Sequence, residues 1–417
     1  VTLAELARCK QAVRDGKIWQ LAEQRSHQHP ALREAFLWLT TPPTTERNAR
    51  PERFYTDRDA ARDRDRDQGM WEDAWDWVVW SQLTPRTGGV LWGGDDTFGR
   101  PHIAKARRTL QMRWQHQQET EHVMVFHGIR GPFRERINEV LEWLVIHHPT
   151  LQPVVLTPLG LVPASLEDLN PFAHLDAPPW VLRHSPEHEW IRKELDRLGL
   201  HRQSFATVDV YGDGMKQRLA SALETLGLSN DVHRPITAEQ RDTARSALRY
   251  NQGVDKQSVL LNLDRSAAER VMKGASYVVN REGRMKNIND AEGAHLFSPR
   301  LRDGGLSMAT AGALALLEVR KESLPTTLPR TEWWGHANKG PAVVVVNEDA
   351  EPFVRKGRNV FHGFVLACDP WLAPGEACII TNEKGNFLGH GVSQCTSTEM
   401  AAFTKGIAVK TRGGFEG

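Results

Sequence analysis

The stretch Val344-Val345-Val346-Asn347-Glu348-Asp349-Ala350-Glu351-Pro352-Phe353-Val354-Arg355-Lys356-Gly357-Arg358-Asn359-Val360-Phe361 decides how the C-terminal part of this chain is read. An apolar run leads to a basic turn built around a glycine, and a second apolar run follows. From Pro341 onward the rhythm repeats. Short apolar runs at 342–346, 361–366, 377–380, 387–392 and 407–409 are punctuated by Gly357, Gly363, Gly375, Gly385 and Gly406. Short strands separated by turn residues predict a small closed barrel. Arg355, Lys356 and Arg358 surround Gly357 on what reads as a helix-to-strand turn. A glycine there lets the backbone approach a phosphate closely, and the cations supply charge. The plainer alternative is that Gly357 serves only the turn and the cations are solvated.

Working outward, 104–228 reads as α/β. Apolar strands at 123–126, 154–157 and 206–210 alternate with helical patterns at 104–118, 133–147, 188–198 and 215–226. Such alternation predicts a parallel sheet, with ligands beyond the carboxyl ends of its strands. Those ends carry His127-Gly128, the segment 157–163 and Tyr211-Gly212-Asp213. Residues 229–330 read as a small α+β region, with helices at 238–250, 266–273 and 308–317 and a short strand at 277–279, and 325–335 reads as a linker. Residues 1–40 read as two helices, with Pro30 as a helix opener. The run at 58–67 alternates Arg and Asp and reads as a solvated tether rather than an RNA-contacting arm, because its charges cancel. An aromatic helix is expected over 70–83. The expected architecture is thus multidomain α/β and α+β: a helical region at 1–100, a central parallel-sheet domain at 101–230, an α+β domain at 231–335 and the barrel at 340–417.

The net charge is +1, so nucleic-acid binding cannot rest on a global positive field and any basic surface must be local. Cys9, Cys368, Cys378 and Cys395 include no CxxC pair, which leaves no zinc signature and no disulfide framework. The 14 tryptophans read mostly as packing groups. No window approaches the length of a membrane span and no signal peptide is recognisable, so a cytoplasmic protein with no membrane contact is expected. The first residue is Val1, which fits a processed chain, a non-standard start or a piece of something longer.

The barrel region resembles a PUA domain, the RNA-binding module, over its whole length. "VRKGRNVF" (354–361), a Gly375-Glu376 turn, "LGHG" (388–391) and "GIAVK" (406–410) occur in the family's order. The resemblance implies RNA contacts at Arg355, Lys356, Gly357, Arg358, Gly389, Gly391 and Lys410. The region from Gly340 holds seven Lys and Arg against eight Asp and Glu, so recognition should rest on shape and a small patch.

Further upstream, "ASYVVNREGRMKNI" (275–288) and "LFSPRLRDGGLSMATAGALAL" (296–316) resemble the domain preceding the PUA domain in archaeal tRNA-guanine transglycosylases. The segment 12–39, "RFYTD" (53–57) and "RPHIAKARRTL" (100–110) are similar to regions after that family's catalytic barrel. The barrel itself, with its aspartate nucleophile and its zinc held by three Cys and one His, has no counterpart here. A self-sufficient base-exchange enzyme is therefore not expected.

The central block resembles archaeosine synthase, which modifies the nitrile of a 7-deazaguanine in tRNA. "VVLTPLGLVPASLEDLNPFAHLDAPP" (154–179) carries the match. The family's Pro-Cys-x-x-x-Lys-Pro-Tyr motif falls on "FHGIRGPFRER" (126–136), where His127 takes the Cys position, Gly131 the Lys position and Phe133 the Tyr position. A thiolate suits covalent attack on a nitrile, whereas a histidine is an acid or base.

Two functions follow. In the first, the chain is an archaeosine-synthase-like transferase acting on 7-cyano-7-deazaguanine in tRNA through His127, Arg130, Glu167, His174 and Asp176. In the second, it is a non-catalytic tRNA-binding subunit of a split transglycosylase or synthase, with a transglycosylase barrel or radical enzyme as partner. The expected ligand is tRNA; no cofactor and no metal are expected, and homodimerisation stays open. A structural protein unrelated to tRNA is the third and weakest reading.

Overall fold

The computed structural model describes residues 2–15, 18–40, 90–91, 101–128, 134–169, 171–172, 175–176, 187–281, 285–300, 305–322 and 340–416. The aromatic helix expected over 70–83, the Arg/Asp run and the linker at 325–335 lie outside them.

Where two N-terminal helices were expected there are three: α1 (Thr2–Arg14), α2 (Ile18–Ser26) and α3 (Pro30–Thr40). Pro30 does open a helix, as its fixed φ favours. The strand β1 (Val90–Leu91) precedes the α/β block. That block runs α4 (Pro101–Arg113), β2 (His122–His127), α5 (Arg134–His147), β3 (Leu151–Thr157), β4 (Gly160–Pro163), β5 (Leu175–Asp176), α6 (His188–Arg197), β6 (Ser204–Asp209) and α7 (Met215–Thr225).

The sheet order is β4-β3-β2-β6, with β3, β2 and β6 parallel as expected. Val123, Met124, Val125 and Phe126 are fully buried because helices cover both faces of the central strand. Val123 and Val125 pack with α4 and α6, and Met124 and Phe126 pack with α5 and α7. The period of two sends alternate residues to opposite faces.

The antiparallel edge strand β4 is an addition to the sequence reading, which took 157–163 as a ligand-facing loop. Thr157 closes the hairpin: its hydroxyl donates to the Gly160 carbonyl at 2.9 Å and accepts from the Leu159 N–H at 3.1 Å. Gly160, at φ +111°, leaves no room for a Cβ beside the Glu194 carboxylate and the Arg107 guanidinium. Glu194 in turn accepts from the Leu161 N–H at 3.0 Å and pairs with Arg107 at 2.8 Å and Arg197 at 2.9 Å.

The next region holds α8 (Ala238–Leu261), α9 (Arg265–Met272), the strands β7 (Ser276–Val279), β8 (Met285–Asn289), β9 (His295–Pro299) and β10 (Leu306–Met308), and α10 (Thr310–Glu322). The four strands form an antiparallel sheet in the order β10-β9-β8-β7. A capping box of Thr237 and Gln240 starts α8, and Asn262, left-handed at φ 55°, ends it. The helix runs eleven residues beyond the Tyr250 stop that the sequence suggested.

The last region is the barrel: β11 (Ala342–Val346), α11 (Glu351–Arg355), β12 (Val360–Phe361), β13 (Val365–Cys368), β14 (Ala377–Asn382), β15 (Phe387–Ser393), α12 (Ser397–Ala402) and β16 (Ile407–Gly414). Its six strands run in the order β12-β16-β15-β14-β11-β13, with β11 and β14 parallel and the other pairs antiparallel. The chain is therefore mixed α/β with a nearly closed C-terminal barrel. Barrel and upstream region share a core in which Val343, Val345, Ile379 and Phe387 pack with the residues of α8 to α10. A buried Arg320–Asp369 pair at 2.7 Å joins α10 to the barrel, and Arg113–Glu376 at 3.0 Å joins α4 to it.

Candidate RNA-binding turn and strand-end site

The basic turn follows α11. Gly357 is left-handed at φ +76°, and its N–H closes the helix by donating to the Val354 carbonyl at 2.8 Å. The Arg358 N–H donates to the Phe353 carbonyl at 3.0 Å. Strand β16 then fixes the turn from below. The Thr411 hydroxyl donates to the Arg358 carbonyl at 2.8 Å, and the Thr411 N–H donates to Asn359 Oδ1 at 3.1 Å. Gly414 is the close-approach point: a Cβ there would collide with the Arg355 carbonyl and stand 2.6 Å from the Gly357 nitrogen. Thr411, Asn359 and Gly414 were not singled out from sequence. Gly414 falls just past the "GIAVK" stretch, and only the strand pairing brings it under the turn.

The cations of this turn differ in their use. Lys356, Arg358 and Lys410 are exposed, and the side chains of all three are without a partner among the described residues. Arg412 is exposed on the same strand as Lys410 and alternates with Thr411. Arg355 is half-buried and donates to the Phe415 carbonyl at 3.0 Å, with Glu351 at 3.7 Å. It serves as a strut for the turn. Gly389 and Gly391 are buried against β16, where Cβ atoms would stand 2.5 Å from the Gly413 carbonyl and 2.7 Å from the Lys410 carbonyl. They bring two backbones together. Exposed Phe353 sits on α11 beside the turn.

At the α/β block, His127 ends β2. It is 6% exposed, its Nδ1 has no hydrogen-bond partner among the described residues, and burial holds its imidazole below the ordinary histidine value despite nearby Asp209. Glu167 is also buried, but elsewhere. Strand β4 runs back along β3, placing Pro163 opposite Val154, and Glu167 follows the 3-10 turn Ala164–Leu166. That turn packs toward α8, where Ser165 bonds Asp255 and Lys256 pairs with Asp168 at 2.6 Å. The structure therefore does not bring His127 and Glu167 to one strand end. Arg130 and His174 lie outside the described residues. Asp176 belongs to β5, which pairs with β1 away from the central sheet, and nothing is described of its side chain.

The barrel cysteines offer no thiolate. Burial pushes Cys368 and Cys395 up to about 12 and Cys378 higher still. Among the described residues no group of three His, Cys, Asp or Glu side chains is placed to hold a metal ion. No described helix is long and apolar enough to cross a membrane.

Residues 342–415 match the PUA domain family, so the barrel and its basic turn are a PUA domain. Along its whole length the chain is 25% identical to the tRNA-guanine(15) transglycosylase of Methanocaldococcus jannaschii, of which it covers 52%. It is 36% identical over 144 residues to the enzyme of the same name from Thermococcus onnurineus, a match covering 34% of this chain and 22% of the relative. The chain is thus similar to archaeal tRNA-guanine transglycosylases, and it spans about half the length of those it matches end to end. Among solved structures it resembles AF0587, a protein of unknown function, with a TM-score of 0.40 and 16% identity over 74% of this chain and 99% of that one.

Proposed function

We propose that this chain binds tRNA in the archaeosine (7-deazaguanine) modification pathway and that its PUA turn holds the RNA backbone. One observation carries the reading. Lys356 and Arg358 flank a left-handed glycine, are exposed and unpartnered among the described residues, and sit on a turn fixed to β16. Two donors of this kind, held in place before RNA arrives, suit phosphate contacts that position a nucleic acid without reading sequence. The similarity to tRNA-guanine transglycosylases supports tRNA as the RNA.

Of the two roles for the α/β block, the non-catalytic one has the stronger support. His127 occupies the place where attack on a nitrile would need a thiolate, and the three barrel thiols are held protonated by burial. A partner carrying the catalytic centre belongs to this reading. The catalytic role would use His127 as acid or base, and its unpartnered Nδ1 favours keeping that role under test. The deciding assay incubates the chain with tRNA carrying 7-cyano-7-deazaguanine and an ammonia, lysine or glutamine donor, and follows nucleoside mass. No mass change with tRNA retained supports the binding subunit. A mass gain abolished by His127→Gln supports the enzyme.

A further inference from the structure

The motif "LGHG" (388–391) contains one residue that the turn has not used. Gly389 and Gly391 answer to the close approach of β16, and His390 stands between them, opposite Gly413 in the strand pairing. His390 is 5% exposed, and burial holds its imidazole below the ordinary histidine value, so the ring enters the joint between barrel and upstream region in its neutral form. Its Nε2 lies 3.5 Å from the hydroxyl of Thr310, the first residue of α10.

Gly413 is shaped by this ring. Its backbone is not left-handed, so conformation alone does not require a glycine there. Space does: a Cβ on Gly413 would stand 2.6 Å from His390 Nε2 and 3.3 Å from Thr310 Oγ1. Imidazole, hydroxyl and bare backbone therefore meet at one point, where α10, β15 and β16 come together. The next two residues carry that point to the RNA side. Gly414 leaves no room for a Cβ beside the Arg355 carbonyl and the Gly357 nitrogen. Phe415 donates its N–H to the Leu388 carbonyl at 2.9 Å, and its own carbonyl accepts from Arg355 at 3.0 Å. Its ring packs on Phe387 with centroids 5.3 Å apart, and Phe387 belongs to the core shared with α10. A close-packed interior passes a change of volume on to its neighbours, so the size of the ring at 390 is felt along the end of β16.

We propose that His390 is a positioning residue for the basic turn: its imidazole, held between Thr310 and Gly413, sets where the end of β16 lies, and through Gly414 and Phe415 sets where Lys356 and Arg358 stand. The upstream region thereby acts on RNA binding through α10. This consequence rests on the turn holding RNA, as proposed above; the placement of the turn does not.

The experiment measures, on the full chain, hydrogen exchange of the segments 353–361 and 342–346 and affinity for a tRNA transcript, with thermal melts showing that each variant is folded at the assay temperature. His390→Ala leaves the end of β16 unsupported, and Gly413→Ala pushes it away. Each speeds exchange at 353–361 and weakens tRNA binding by about three- to tenfold, while 342–346 stays protected. In the double variant the added methyl occupies space that the imidazole has left, and both readouts return toward the wild type. A general loss of packing would instead add the two effects and raise exchange at 342–346 as well. If His390→Ala does not fold, His390→Gln, whose flexible chain can give way to the methyl, replaces it in the same comparison. Wild-type exchange at 353–361 in the single variants, or a double variant no closer to the wild type than Gly413→Ala, overturns the assignment. Faster exchange at 353–361 with unchanged tRNA affinity keeps His390 as a positioning residue and refutes RNA binding by the turn instead.

Discussion

Two left-handed glycines, Gly357 in the barrel and Gly128 at the end of β2, serve opposite purposes. At Gly357 the nearest atom to an added Cβ stands 3.8 Å away, so the glycine answers to backbone conformation alone. At Gly128 an added Cβ runs into a carboxylate, so the glycine answers to space. The barrel turn is exposed and carries unpartnered cations among the described residues, whereas the strand end carries a buried histidine, held below its ordinary value by burial, next to half-buried Asp209. The first suits a large anionic partner held from outside.

The largest expected effect falls on the joint between α10 and the barrel. Asp369 pairs with Arg320, accepts from the Val343 N–H at 2.7 Å and is fully buried. Asp369→Ala removes the carboxylate facing the buried Arg320 guanidinium and should cost about 3–5 kcal/mol in denaturant unfolding. Within the turn, Gly414→Ala forces backbone apart at Arg355 and Gly357 and should cost about 1–3 kcal/mol with a marked loss of RNA affinity, though no cation is altered. Gly357→Ala meets only an ordinary contact and should cost only the left-handed strain of about 1–2 kcal/mol, with the weaker loss of affinity. If the two variants reversed that order, β16 would not be what positions the turn.

The smallest effect is a pH dependence that belongs to the strand end. Burial lowers the folded value of His127 below the ordinary 6.5. The unfolded chain therefore binds more protons below that pH, and stability falls as pH drops through and below about 6.5. His127→Gln should remove part of that acid loss in thermal melts, and Lys356→Ala should leave it unchanged. His148 and His390, lowered by burial too, contribute in the same direction.

The barrel was the legible part of the sequence because its strands are short apolar runs cut by glycines, and local pattern suffices there. The extent of α8 was not legible. The sequence pattern ends at 250, but tertiary burial carries the helix on to Leu261, and Gly253 gives the room that Met272 fills. Strand β4 is hidden in the sequence because Thr157 and Gly160 look like ligand-facing loop residues until the hairpin uses their polar groups. Among the site residues, Lys356 and Arg358 were readable from charge around a glycine. Gly414 was not, because it acquires its place only by pairing with a strand distant in sequence.

Binding of tRNA by the PUA turn would rest on Lys356 and Arg358, unpartnered among the described residues. Its most direct test is tRNA affinity across a salt series for the wild type and the Lys356→Ala/Arg358→Ala double variant. The account predicts weaker binding with the salt slope reduced by about 2, one for each lost phosphate contact. Unchanged affinity and slope in a folded double variant would contradict it.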